Sequence, residues 1–105
     1  MKTIASILVV DDNKGLCDGV KEYLEQEDYA VGCANNGKDA IALLRNNKYH
    51  IALVDIELPD IHGTGLVKKL AEISPSMGFV HMTSHATIES AIEAVRHEQV
   101  ISYET

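Results

Sequence analysis

The chain has 105 residues, enough for one domain at the small end of what builds a self-sufficient core. Hydrophobic residues make up 46% and charged residues 24%, the mix of an ordinary globular protein and not of a disordered tail. Sixteen acidic residues against nine basic ones leave a net charge of −7, which excludes sequence-independent nucleic-acid binding through clustered Lys and Arg.

Met1 to Val10 holds one Lys and a short apolar stretch, and Asp11-Asp12 follow at once. That is too short for a secretory signal, and no apolar run reaches the length of a membrane span. A cytoplasmic protein is expected. Ile7 to Val10 is continuously apolar, as in a strand buried on both faces of a parallel sheet. Asp11, Asp12 and Asn13 end it and can cap the next helix. From Lys14 to Gln26 the residues Leu16, Cys17, Val20, Tyr23 and Leu24 recur at helical spacing.

A second strand is predicted over 29–34, before the turn signal Asn35-Asn36-Gly37. Ala40, Ile41, Leu43 and Leu44 mark a second helix that stops near Asn46-Asn47. Ile51 to Val54 is again fully apolar and ends on Asp55. A loop over 57–65 carries Pro59 and Gly63, and Leu66, Val67, Leu70 and Ile73 give a third helix ended by Ser74-Pro75. Another strand over 79–82 ends on Thr83, a fourth helix runs over 86–98, and a last short strand covers 100–103. Strands alternating with single helices imply right-handed crossovers and a parallel sheet. Nothing suggests a linker, repeat or second domain.

Ligands of such sheets bind beyond the carboxyl ends of the strands, where strand order reverses. Asp11, Asp12 and Asp55 all stand at such ends. A single turn Asp is usually a cap. An adjacent pair plus a third, each after a fully apolar strand, is a different matter. Three carboxylates gathered there raise one another's pKa until a cation joins them, and Mg2+ suits a shallow all-oxygen site. Thr83 adds a hydroxyl that could donate to a phosphoryl oxygen on Asp55.

Three segments then make the pattern specific: Val9-Val10-Asp11-Asp12-Asn13, Leu53 to Gly63 with Pro59 and Gly63 four and eight positions after Asp55, and Val80 to Ser84. Together they resemble the response-regulator receiver domain of two-component signalling (the CheY-like superfamily), over essentially the whole chain. The resemblance implies a flavodoxin-like sheet of order 2-1-3-4-5. It implies that a sensor histidine kinase donates phosphoryl to Asp55, and that Asp12, Asp55 and the backbone carbonyl of Glu57 bind Mg2+, with Asp11 acting largely through water. Thr83 then moves toward the phosphoryl group, and Tyr103 is the best match to an inward-turning aromatic. The changed surface around the fourth helix and fifth strand controls an output domain or partner. Such a domain is not an enzyme beyond its own phosphorylation and dephosphorylation.

The chain also departs from the family. The family's Lys after the fifth strand has no counterpart, the last Lys being Lys69. Lys14 is a weak substitute that reads better as a solvated residue. The fifth helix is missing too, so residues 1–105 read as a receiver truncated at its carboxyl end. The sheet face shared by the first and last helices is expected to lie open and to draw in a second copy of the chain.

Glu57 and His85 stand two residues after Asp55 and Thr83, where they resemble tuners of acyl-phosphate lifetime; ordinary loop residues would look the same. His50, His62, His81 and His97 lack metal-ligand spacing, and Cys17 and Cys33 form no metal or disulfide framework. A pseudo-receiver that signals by binding alone is the alternative, although it would usually lack one of the acidic residues. A flavin site or a dehalogenase-type hydrolase fits poorly, because the anionic Asp11-Asp12 loop repels phosphate unless a metal is bound.

Overall fold

The computed structural model describes residues 5–55, 57–82 and 87–95. Four parallel strands form its sheet: β1 (Ser6–Val10), β2 (Ala30–Ala34), β3 (Ile51–Asp55) and β4 (Gly78–Met82), in the order β2-β1-β3-β4. Helices α1 (Lys14–Gln26), α2 (Gly37–Asn46) and α3 (Gly63–Ile73) connect them, and residues 88–95 are helical after β4 (α4). This is the doubly wound order expected from the sequence. The fifth strand expected over 100–103 lies outside the described residues. No helix among the described residues is long and apolar enough to cross a membrane.

β1 and β3 stand side by side at the centre, which is why their sequences are apolar without interruption. Alternation sends Ile7, Val9, Ile51 and Leu53 to one face and Leu8, Val10, Ala52 and Val54 to the other. Leu16, Cys17, Val20 and Leu24 of α1 cover the first face, while Ala40 and Leu44 of α2 and Leu66 and Leu70 of α3 cover the second. Each fully buried Leu or Val contributes roughly 1.5–3 kcal/mol relative to exposure. Asn13 and Asn36 start α1 and α2 by accepting from the amides of Leu16 and Asp39.

Several boundaries differ from the sequence reading; β1 and β4 each begin one residue earlier than expected. α2 begins at Gly37, inside what reads as a turn, because Asn36 caps it. α3 begins at Gly63, ahead of its apolar stripe. β2 begins one residue later than expected.

One expectation is corrected outright. The face beside α1 is not open: Ala91, Ile92 and Val95 of α4 are buried in the same core cluster as Leu16, Val20, Ile7 and Val9. Gly19 on α1 lets α4 come close, since a Cβ there would run into the side chain of Ile88. The apolar stripe at 88, 91, 92 and 95 needs a partner, and the central strands offer one there. Among the described residues, the face expected to lie open and to motivate self-association is therefore covered.

Candidate functional site

Asp11 follows β1 directly and Asp55 is the last residue of β3, so adjacent strands deliver both to one rim of the sheet. The amide of Asp11 donates to the Ala34 carbonyl at 3.0 Å, and that closes the rim between β1 and β2. Asp12, next along, is exposed, whereas Asp11 and Asp55 are each 4% exposed. Carboxylate oxygens of the three all lie within 4.8 Å of one another. The structure thus brings the three aspartates together on one rim of the sheet.

Two backbone amides hold the buried pair. The Asn13 amide donates to Asp11 Oδ1 at 2.9 Å, and the Glu57 amide donates to Asp55 Oδ1 at 3.0 Å. No basic side chain forms an ion pair with any of the three among the described residues, and Lys14 is exposed and unpaired. Burial pushes the Asp11 carboxyl up, the Asn13 amide partly offsets this, and the charges of Asp55 and Asp12 push it further. Buried like charges without a cation are an unstable arrangement. The donor set is all oxygen and anionic, with one exposed member that leaves room for water. This fits Mg2+ and not a soft metal seeking nitrogen or sulfur.

The loop after Asp55 is braced at several points. Glu57 forms an isolated antiparallel bridge with His62. Asp60, which the sequence reading passed over, accepts from the amides of Gly37 at 2.8 Å and Lys38 at 3.0 Å and so ties the loop to the first turn of α2. Those two amides hold its carboxyl below the usual range. Gly37 has no room for a side chain, because Ile61 occupies that space. An acidic residue in a loop carries no signal of this contact.

The remaining candidates divide plainly. Thr83, His85 and Tyr103 lie outside the described residues, as does His97. His50 is structural: its Nδ1 accepts from the Ser6 amide at 2.9 Å, and its own amide and carbonyl bind Ser6 and Gly78 at the opposite rim.

Comparison with known proteins settles the family. The response regulator receiver domain description matches residues 7–100. The chain belongs to the receiver-domain family. A response regulator receiver protein from Anaeromyxobacter sp. (strain Fw109-5) is 33% identical over 95 residues, covering 90% of this chain and 40% of that one. The regulatory protein LuxO of Vibrio cholerae is 32% identical over 89 residues, 85% of this chain but only 20% of that protein. The chain therefore spans well under half of these curated relatives.

Among solved structures, a CheY-like receiver domain protein from Methanospirillum hungatei JF-1 superposes with a TM-score of 0.74 at 33% identity, covering 90% of this chain and 75% of that one. TrrA of Thermotoga maritima, solved in complex with Mg2+-BeF, gives 0.69 at 29% identity, covering 82% and 72%. CheY4 of Vibrio cholerae, at 17% identity and 0.80, supports the fold alone. Receiver domains are signalling domains of two-component systems, not metabolic enzymes, and this family binds Mg2+ in an acidic pocket.

Proposed function

We propose that this receiver domain, spanning the chain, is a switch that accepts phosphoryl on Asp55 from the histidine of a sensor kinase. The observation that carries this reading is the set of three carboxylates within 4.8 Å on one rim, two of them buried and none in an ion pair among the described residues. Asp11, Asp12, Asp55 and the backbone carbonyl of Glu57 would hold Mg2+. When bound, Mg2+ supplies positive charge that lets the carboxylates coexist and accept a phosphate beside them.

The chain's own part is mostly positioning. The Glu57 amide fixes one oxygen of Asp55 and leaves the other to attack phosphorus as the phosphorus–nitrogen bond to the histidine breaks. Thr83 then donates to the phosphoryl oxygen and Tyr103 turns inward. Those movements alter the surface that an output domain or downstream partner reads. Glu57 and His85 tune the lifetime of the acyl phosphate. The transcriptional regulators among its relatives, such as ZraR of Escherichia coli, make an output domain the natural target.

Incubation with acetyl phosphate and Mg2+, read by intact mass and peptide mapping, tests the proposal. A single phosphate on Asp55, lost in Asp55→Asn and in EDTA, is the expected result. Modification elsewhere, or none in a chain whose Mg2+ binding is demonstrated, would leave a binding-only pseudo-receiver as the better description.

A further inference from the structure

Cys17 and Cys33 are 16 positions apart in sequence yet meet where α1 packs on β2. The Cys33 thiol donates to the carbonyl of Cys17 at 3.4 Å, which brings the two cysteines into contact. The burial of the two differs. Cys17 is closed off at 1% exposure, whereas Cys33 is partly exposed on β2, the edge strand of the sheet. The Cys33 thiol is also pushed below its ordinary pKa, chiefly by the neighbouring Cys17 and further by the charge of Lys21. A partly exposed, acidified thiol beside a second thiol is the arrangement that peroxide attacks and a neighbour resolves.

The pair also touches the acidic rim. The Cys17 sulfur lies 3.4 Å from the Asp11 carbonyl, and Asn35 Nδ2 donates to the same carbonyl at 2.8 Å and reaches the Cys17 sulfur at 3.7 Å. The Asp11–Asp12 peptide is thus held by a thiol and an amide.

We propose that Cys17 and Cys33 are a redox-modifiable pair, in which oxidation by a peroxide forms a disulfide between α1 and β2 and weakens the neighbouring acidic site. The Cys33 sulfur attacks the peroxide oxygen–oxygen bond, taking one oxygen as a sulfenic acid while the other leaves as water. Cys17 then attacks the Cys33 sulfur; the sulfur–oxygen bond breaks and the hydroxide leaves as water with the Cys17 proton. Two thiols are oxidised by two electrons and one peroxide is reduced to two waters. The new bond removes the Cys17 S–H, so the Asp11 carbonyl keeps Asn35 but loses its second donor. The loss of a hydrogen bond from a weak S–H donor, at the low end of the range for neutral hydrogen bonds, corresponds to an affinity drop of about two- to fivefold. The disulfide step is independent of the proposed function; the effect on Mg2+ rests on it.

Exposing the native chain to hydrogen peroxide, blocking free thiols and digesting with trypsin under non-reducing conditions tests both parts. The expected product is a monomer lighter by two hydrogens, with peptide 15–21 joined to peptide 22–38. Its Mg2+ affinity by calorimetry falls about two- to fivefold and recovers with a thiol reductant. Cys33→Ser, which keeps Cys17 and its contact with Asp11, forms no link and keeps its Mg2+ affinity under peroxide. Oxidation of Cys33 to sulfinic acid without a link overturns the pair. A link with unchanged Mg2+ affinity overturns the coupling to Asp11. A chain that links but binds no Mg2+ before or after treatment sinks the metal reading and the coupling together, and leaves the disulfide standing.

Discussion

Asp55→Asn removes one charge from the acidic rim and keeps the oxygen that accepts from the Glu57 amide. Asp11 and Asp55 are both nearly fully buried with carboxylate oxygens within 4.8 Å. Two unit charges at that distance repel by about 3.5 kcal/mol at an effective dielectric of about 20, and by about 0.9 kcal/mol in water. The unfolded chain separates them, so most of this repulsion acts on the folded state alone. Asp55→Asn is therefore expected to raise the stability of the metal-free chain by about 1–3 kcal/mol. For a domain of this size each kcal/mol corresponds to roughly 4–8 °C in Tm.

The pH dependence has a definite sign. Asp11 binds its proton more tightly folded than unfolded, so stability falls as pH rises from its ordinary value of 3.8 through the raised one. Above that window the penalty is constant. Urea or thermal unfolding at pH 8 should thus find the native chain less stable than Asp55→Asn in EDTA. Excess Mg2+ should stabilise the native chain by mass action and the variant far less. A native chain at least as stable as the variant in EDTA, or equal stabilisation of both by Mg2+, would refute the electrostatic argument.

Asp60→Ala should release the acceptor loop from α2 and lower Tm. Because the partners of Asp60 depress its pKa, that contribution is present above its ordinary value of 3.8 and is lost only as pH falls through the lower folded value, so acid titrations of the two proteins should converge there. Gly37→Ala should force Ile61 aside and weaken Mg2+ binding, measured by calorimetry. Leu53→Ala, at the centre of the core, should cost about 2–5 kcal/mol in urea unfolding. Ile92→Ala tests the placement of α4: a loss of about 2 kcal/mol or more fits burial beside α1, and a loss below about 0.5 kcal/mol would mean that α4 does not cover that face.

How much of this was legible in the sequence depended on how local the cause was. β1 and β3 could be read because a strand buried on both faces admits no polar residue, and the Asp residues that end them mark the rim. α1 could be read because Asn13 caps it and Leu16, Cys17, Val20 and Leu24 recur on one side. The start of α2 could not, because Asn35-Asn36-Gly37 is equally good turn chemistry and only the capping bond from Asp39 to Asn36 decides. Asp60 and the Cys17–Cys33 pair were invisible for a related reason. Each acts across a long sequence separation, and nothing in the local composition records its partner.

The placement of α4 shows the same boundary most sharply. A stripe at 88, 91, 92 and 95 says that a helix has one apolar side, and the apolar strands say that both faces of the sheet need cover. Neither says which face that helix takes. The choice depends on what already fills each side. α2 and α3 together occupy one face, where Leu44, Leu66 and Leu70 are buried, while α1 alone leaves space beside Ile7, Val9 and Leu53 on the other. Gly19 then admits Ile88. Periodicity fixes the orientation of a helix about its own axis; the vacancy left by the other elements fixes its address, and that is a property of the whole assembly.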